Sequence, residues 1–253
     1  MIHVQAVRHG NASIVLAGKQ TELLEKLLSS DEGEEVLGGR GSIRIFQLST
    51  GRVVKRHFLH GGMLRKVLGD LFAGSSRSLS EFFLTLKAHQ RGAPVPRVLA
   101  SITKRYFTLF YRSDIVTEML PSITLGEALD RDAMEDLRPL LKLLLALHKS
   151  GVEHVDLNIN NILIPNDASA WIVIDLDRGR LHKVLPVKKR LESLLRLDRS
   201  YQKKYGMEGP ISFIRRYRIW HHYLVQSGLN PCDYKSVLRC EKFKRQWHQL
   251  LWK

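Results

Sequence analysis

Cysteine is scarce. Cys232 and Cys240 are the only two in 253 residues, and no His or further Cys stands beside them at metal-ligand spacing. That leaves neither a disulfide framework nor a thiolate metal centre to organise the fold, and the expectation is two reduced thiols in a cytosolic protein. Long apolar runs are lacking too. A membrane-spanning helix needs about 18 consecutive apolar residues, whereas the longest candidate, Leu140 to Leu147, contains Lys142. The N-terminus shows no secretory pattern, because Arg8 and Lys19 flank the mildly apolar Ala12 to Ala17 and no small-residue cleavage site follows. Internal repeats and low-complexity tracts are missing as well. Acidic residues thin out in one place. From Leu181 to Lys253 there are 17 Lys or Arg against 5 Asp or Glu, a net of +12, while the preceding 180 residues carry only +3 of the total +15. Such a block points to an anionic partner: nucleic acid, an acidic membrane surface or a phosphorylated substrate. A solvated basic face without a specific partner is the plainer alternative.

What is present is an ordinary globular mixture, 44% hydrophobic and 26% charged, long enough to bury a full core in one or two domains. Gln20 to Leu28 spaces Leu23, Leu24, Leu27 and Leu28 as one face of a short amphipathic helix. Ile43 to Leu48 and Arg52 to Phe58 read as a hairpin turning at Ser49-Thr50-Gly51, and Ser78 to Gln90 as a helix ending at Gly92. Ala93-Pro94-Val95-Pro96 forces an extended turn, because each proline also biases its predecessor away from helix. Three more strands are predicted at Val98 to Ile102, Tyr106 to Tyr111 and Ile115 to Met119. The pattern then turns helical, with a strongly apolar helix over Leu137 to His148. Two short strands follow, Ile162 to Ile164 and Trp171 to Ile174, then helices over Lys188 to Lys204, Ile211 to Leu224 and Tyr234 to Trp247. The expected fold is α+β and bilobal: a small β-rich N-terminal lobe, residues 1–120, and a mainly helical C-terminal lobe, residues 121–253.

The chemistry concentrates in His154-Val155-Asp156-Leu157-Asn158-Ile159-Asn160-Asn161, a loop between the apolar helix and a short strand. An Asp and an Asn five residues apart in a loop suit phosphoryl transfer. The Asp156 carboxylate accepts the proton of an attacking hydroxyl, and the Asn161 amide oxygen ligates magnesium. Fourteen residues later, Ile172-Val173-Ile174 delivers Asp175 to a strand end, where its carboxylate holds a further magnesium position against the phosphates. The plain alternative makes Asp156 and Asn161 turn-formers and Asp175 a cap.

The order H-x-D-x-x-x-x-N, short hairpin, hydrophobic strand and D-x-x resembles the catalytic and metal-binding loops of the protein-kinase-like superfamily. That resemblance implies ATP and Mg2+, and it extends to the N-terminal lobe. Gly39-Arg40-Gly41 is similar to a phosphate-covering loop, in which missing Cβ atoms let backbone N–H groups approach oxygens. Lys55, ending Arg52-Val53-Val54-Lys55, is similar to the lysine that pairs with the α- and β-phosphates. A slip of one residue in strand register gives that place to Arg56, because it flips every side chain. Glu81 is the partner the resemblance implies for that lysine. Thr117-Glu118-Met119-Leu120 is similar to an adenine-binding hinge, acting through the Glu118 carbonyl and the Leu120 N–H. His154 is expected to be structural, packed beneath Asp175.

Three departures narrow the class. Val155 replaces the arginine that pairs with a phosphorylated activation loop, Asn158 stands where protein-serine/threonine kinases place a lysine, and Asp175-Leu176-Asp177 lacks the glycine of D-F-G with no A-P-E before Pro186. From about Gly38 to Lys204 the chain instead resembles the lipopolysaccharide kinase family, most of all its 3-deoxy-D-manno-octulosonic acid (Kdo) kinases. The residues that carry this are Gly39-Arg40-Gly41-Ser42, Lys55-Arg56-His57-Phe58 with Gly61-Gly62, Arg77-Ser78 with Glu81-Phe82, and Gly92-Ala93-Pro94-Val95-Pro96. They continue in Tyr111-Arg112-Ser113-Asp114-Ile115, Asp156-Leu157-Asn158 with Asn161-Ile162-Leu163, and Ile174-Asp175-Leu176-Asp177-Arg178-Gly179. The resemblance implies transfer of the ATP γ-phosphate to a sugar hydroxyl of Kdo-linked lipid A by a peripheral protein at the cytoplasmic face of the inner membrane, with nucleic acid no longer an expected partner. A core heptose kinase, a small atypical protein kinase and a non-catalytic lipid- or RNA-binding pseudokinase are the alternatives. The helix over Ile211 to Leu224 lines up Phe213, Tyr217, Trp220 and Leu224 beside Arg215, Arg216 and Arg218, which suits an interfacial helix; equally, the stripe packs on the kinase core and the arginines are solvated.

Overall fold

The computed structural model describes residues 3–29, 33–38, 41–60, 69–74, 76–106, 109–132, 134, 136–167, 169–206 and 209–230. The predicted segment Tyr234 to Trp247 and both cysteines lie outside them. The chain forms two units: Met1–Arg91 with Val95–Pro121 and Leu176–Gly179, and Gly92–Pro94 with Ser122–Asp175 and Arg180–Lys253. Two short excursions therefore cross the boundary expected at residue 120, one around Pro94 and one after Asp175.

The first unit is built on a sheet ordered β1-β2-β7-β8-β5-β4-β3, with β6 also paired to β8. Its strands are β1 (Val4–His9), β2 (Ala12–Ala17), β3 (Glu34–Gly38), β4 (Gly41–Leu48), β5 (Gly51–His57), β6 (Phe72–Ala73), β7 (Val98–Tyr106) and β8 (Phe110–Glu118). The three strands predicted between Val98 and Met119 are in fact two long ones; Tyr106 ends β7 opposite Phe110 at the start of β8. Helix α1 (Thr21–Leu28) places Leu23 in a core with Ile14, Leu16, Phe46, Val53, Leu99 and Val116. Helix α2 (Arg77–Gln90) lies over a second core of Phe58, Phe72, Phe82, Leu86, Tyr111 and Ile115. A hydroxyl ladder seats its N-terminus: Ser76, the N-cap, meets Thr103 Oγ1 at 2.7 Å, and Ser78 meets Ser101 Oγ at 2.9 Å. Small hydroxyls facing each other satisfy their own polar groups inside the core, where an unpaired one is costly.

The second unit holds β9 (Ser122–Thr124), β11 (Ile162–Pro165) and β12 (Ile172–Val173) in one small sheet, and β10 (Val152–Glu153) with β13 (Arg180–Leu181) in another. Its helices are α3 (Leu125–Asp130), α4 (Arg138–Lys149), α5 (Val187–Tyr205) and α6 (Phe213–Gln226). Thr124 and Glu127 form a capping box that starts α3 sharply. Gly126 lies so close to the following loop that a Cβ there would run into Asn160 Oδ1, and its N–H donates to Ile159 O at 3.1 Å. Behind α4, His148 is buried and meets Tyr223 Oη of α6 at 2.7 Å and Ser193 Oγ of α5 at 3.2 Å.

Burial pushes His148 down to about 3. Its unfolded counterpart titrates near 6.5, so the unfolded chain gains a proton below that pH that the folded chain refuses. Stability from this group is whole above pH 6.5 and is lost toward pH 3, at about 1.4 kcal/mol per unit. Denaturant unfolding should show a flatter decline between pH 6.5 and 5 in His148→Gln than in the parent, from a lower stability at pH 7.5.

Candidate active site

Two hydrogen bonds join the loop after α4 to the strand end after β12, and two more brace the loop itself. His154 is buried, and desolvation lowers its pKa from the ordinary histidine value, which favours the neutral ring. A neutral imidazole has one donor and one acceptor. Here Nε2 donates to Ile174 O at 3.0 Å and Nδ1 accepts from Asp156 N at 3.2 Å. Ile174 N donates to Asn161 O at 3.0 Å, and Asn161 Nδ2 donates to Asp156 O at 2.9 Å. The web brings Asp156, Asn161 and Asp175 together, with the charges of Asp156 and Asp175 both felt at the His154 ring. His154 thus has the structural place expected of it.

Asn158, noted in the sequence only as a replacement for lysine, braces this loop. Its Nδ2 donates to Asp156 O at 3.0 Å and its Oδ1 accepts from Asn160 N at 2.9 Å and Asn161 N at 3.2 Å. Such an Asx turn fixes backbone that carries no regular structure. Asp175 has φ 65 and Arg178 φ 59, left-handed values that non-glycine residues adopt only under constraint. The candidate metal donors are an amide oxygen and a carboxylate, with no cluster of three His, Cys, Asp or Glu among the described residues. An oxygen-only set of that size suits Mg2+, which completes its shell with phosphate and water.

In the first unit the ion pair expected of Lys55 is made by Arg56. Arg56 Nη2 lies 2.7 Å from both Glu81 carboxylate oxygens, and Glu81 is only 5% exposed. Period-two alternation explains why Arg56, the alternative that a one-residue slip offered, lies on the Glu81 side. Val54, Arg56 and Phe58 share the face that meets α2, where Phe58 packs with Phe82, while Lys55 lies on the opposite face with its Nζ 5.6 Å from the Phe46 ring. Phe58 was the available signal: a buried aromatic two residues on pins the side that Arg56 takes. At the end of β8, Glu118 N donates to Arg97 O at 3.0 Å, Arg97 N donates to Glu118 Oε1 at 2.7 Å, and Met119 N donates to Arg52 O at 2.9 Å. These bonds hold the segment leading to Leu120. Gly39 lies outside the described residues, as do Gly61 and Gly62, and Gly41 opens β4 paired with Gly38.

His57, which the sequence offers only as part of Lys55-Arg56-His57-Phe58, sits between two carboxylates. Its Nδ1 lies 2.5 Å from Asp114 Oδ1 and its Nε2 3.0 Å from Asp70 Oδ2. The hydrogen bond to Asp114 is the main cause that raises its pKa, against desolvation. Arg112 Nε is 2.7 Å from the same Asp70 oxygen, an ion contact without hydrogen-bond alignment.

Helix α6 divides the expected stripe and meets each of the two readings only in part. Arg216 is buried, with its guanidinium 4.6 Å from the Tyr201 ring and 3.4 Å from Asp198 Oδ1, and Leu224 is buried beside Ile219 and Tyr223. Arg215 Nη2 donates to Met134 O at 3.0 Å. The outward face carries Phe213, Ile214 and Tyr217, at 58%, 61% and 54% exposure, together with Arg218.

A family model described as the lipopolysaccharide kinase (Kdo/WaaP) family matches residues 31–222. The chain is 33% identical over 175 residues to a 3-deoxy-D-manno-octulosonic acid kinase of Xylella fastidiosa (strain 9a5c), covering 67% of this chain and 69% of that one. It is 34% identical over 177 residues, with the same coverage, to the like-named kinase of Xanthomonas oryzae pv. oryzae (strain PXO99A). A solved structure described as WaaP in complex with acyl carrier protein matches with a TM-score of 0.53 at 20% identity over 86% of each chain. That likeness gives the fold: protein-kinase-like, with a β-rich N-terminal part and a mainly helical remainder.

Proposed function

Because the chain belongs to the lipopolysaccharide kinase (Kdo/WaaP) family, we propose that it transfers the γ-phosphoryl group of ATP to a hydroxyl of the Kdo sugar on a lipid A-linked acceptor. The chain is a phosphotransferase with an alcohol group as acceptor and acts in lipopolysaccharide core biosynthesis. The observation that carries the finer reading is the His154 web, which gathers a base and two oxygen ligands on one short stretch of backbone. Asp156 takes the proton of the attacking sugar hydroxyl. Asn161 and Asp175 hold Mg2+, which when bound offsets negative charge on the phosphate oxygens. Arg56, oriented by Glu81, holds the α- and β-phosphates, and the chain between Glu118 and Leu120 meets adenine. Fragmentation of the phosphorylated acceptor in a mass spectrometer tests the sugar assignment. Phosphate on Kdo supports it, and phosphate on a heptose contradicts it.

The acceptor is anchored in an anionic bilayer, and the outward face of α6 is suited to reach it. Phe213, Ile214 and Tyr217 are not needed by the core, which takes the opposite face. Among the described residues no helix is long and apolar enough to cross a membrane. What supports peripheral attachment at the cytoplasmic face of the inner membrane is this exposed apolar face, with Arg218 and the basic segment adding attraction to acidic headgroups. Burying an apolar side chain is worth about 1.5–3 kcal/mol. Phe213→Ser with Ile214→Ser should therefore weaken binding to vesicles containing acidic lipid by at least about tenfold, with turnover on a short soluble acceptor unchanged. Undiminished vesicle binding contradicts this role for α6.

A further inference from the structure

Arg77 and Glu81 stand one turn apart on α2 and therefore project from the same face. Glu81 takes Arg56. Arg77 takes Asp177: its Nε donates to Asp177 Oδ1 at 3.2 Å and its Nη2 to Asp177 Oδ2, a two-pronged pairing with a defined plane. Two aromatic rings flank the arginine. The Arg77 guanidinium lies 4.9 Å from the Phe72 centroid and 5.6 Å from that of Phe58, and Phe58 also carries Arg56 at 4.7 Å. Arg77 N further donates to Tyr111 Oη at 3.3 Å. With side chains only 23% and 19% exposed, neither Arg77 nor Asp177 is a loosely solvated surface charge.

Asp177 belongs to Leu176–Gly179, a turn closed by Gly179 N donating to Leu176 O at 2.8 Å, with Leu176 buried. Asp175 comes immediately before it, at φ 65. A left-handed non-glycine residue holds its conformation only where its flanks are fixed. On the N-terminal side, Ile174 is fixed by His154 and Asn161. On the C-terminal side, the fixed points are buried Leu176 and the fork from Arg77 to Asp177.

We propose that Arg77 and Asp177 form a positioning pair for the metal-binding carboxylate. One face of α2 then sets two parts of the phosphate chemistry, Arg56 through Glu81 and the backbone presenting Asp175 through Asp177. The proposal rests on the assignment of Asp175 to Mg2+. Outer groups that orient a metal ligand typically cost about 10- to 100-fold in metal affinity when removed.

The test compares Asp177→Asn, Arg77→Lys and Asp175→Asn in the full-length protein. ATP affinity is measured by calorimetry without metal and across a Mg2+ titration, alongside melting temperature and amide deuterium uptake. Asp177→Asn should raise the Mg2+ concentration for half-maximal ATP affinity by about tenfold or more, speed deuterium uptake at Leu176–Gly179, and leave metal-free ATP affinity within about twofold of the parent. Arg77→Lys, which keeps the charge and loses the fork, should fall in between. If Asp175→Asn shifts the Mg2+ requirement and Asp177→Asn does not, the positioning role is overturned while the metal assignment stands. If neither shifts it, the metal assignment fails and takes the proposal with it. If Asp177→Asn lowers the melting temperature and weakens ATP equally with and without metal, the pair is structural only and the proposal is overturned.

Discussion

Arg56→Met is expected to lower kcat/KM for ATP by about 10²- to 10³-fold, and Lys55→Met by less than about tenfold. Glu81 is nearly buried and both its oxygens lie 2.7 Å from Arg56 Nη2. Removing one partner of a buried pair costs about 3–5 kcal/mol, because the other is left as an uncompensated charge. Some of that cost falls on stability, so the double variant Arg56→Met with Glu81→Met separates the two effects. It should recover melting temperature and stay inactive, since the phosphates still lack their cation. Lys55 projects from the opposite face of β5, with its Nζ 5.6 Å from the Phe46 ring, away from the side on which Arg56 meets Glu81. Steady-state kinetics decide the matter: an inactive Lys55→Met beside an active Arg56→Met returns the role to Lys55.

Asp156→Ala is expected to lower turnover by about 10²- to 10⁴-fold, the usual worth of a general base, with ATP affinity nearly intact. The bonds that shape this loop use the backbone of Asp156, not its carboxylate. Its N–H donates to His154, and its carbonyl accepts from Asn158 and Asn161. Alanine preserves all three, so the loop persists and only the proton acceptor is lost. More than half the parental rate in single-turnover measurements would remove Asp156 from the mechanism.

The parts of the fold that were legible in the sequence are those with one dominant signal. Leu137 to His148 announces α4 by its apolar face, and Pro94 and Pro96 mark the turn before β7. The hairpin of β1 and β2 is not legible, because β1 exposes Gln5, Ala6, Arg8 and His9 and, among the described residues, pairs along one side alone, so alternation is weak. That Asp156, Asn161 and Asp175 come together is legible because they are close in sequence and joined by one short hairpin. The choice between Lys55 and Arg56 stays open in the sequence, because it depends on which face of β5 meets α2, a tertiary fact to which only Phe58 gives a clue. Arg216 misled for the complementary reason: a helical repeat of arginines looks solvated until one is found over Tyr201. The Arg77–Asp177 pair spans 100 residues, and no local pattern announces it.

Phosphate transfer to the acceptor is the decisive observation for this protein. Purified protein is incubated with ATP, Mg2+ and a Kdo-bearing lipid A precursor, and the lipid is weighed by mass spectrometry, with Asp156→Ala in parallel. The predicted result is one added phosphate with the parent protein and almost none with the variant. An acceptor of unchanged mass, with the protein binding ATP normally, contradicts the account, and so does equal phosphorylation by both proteins.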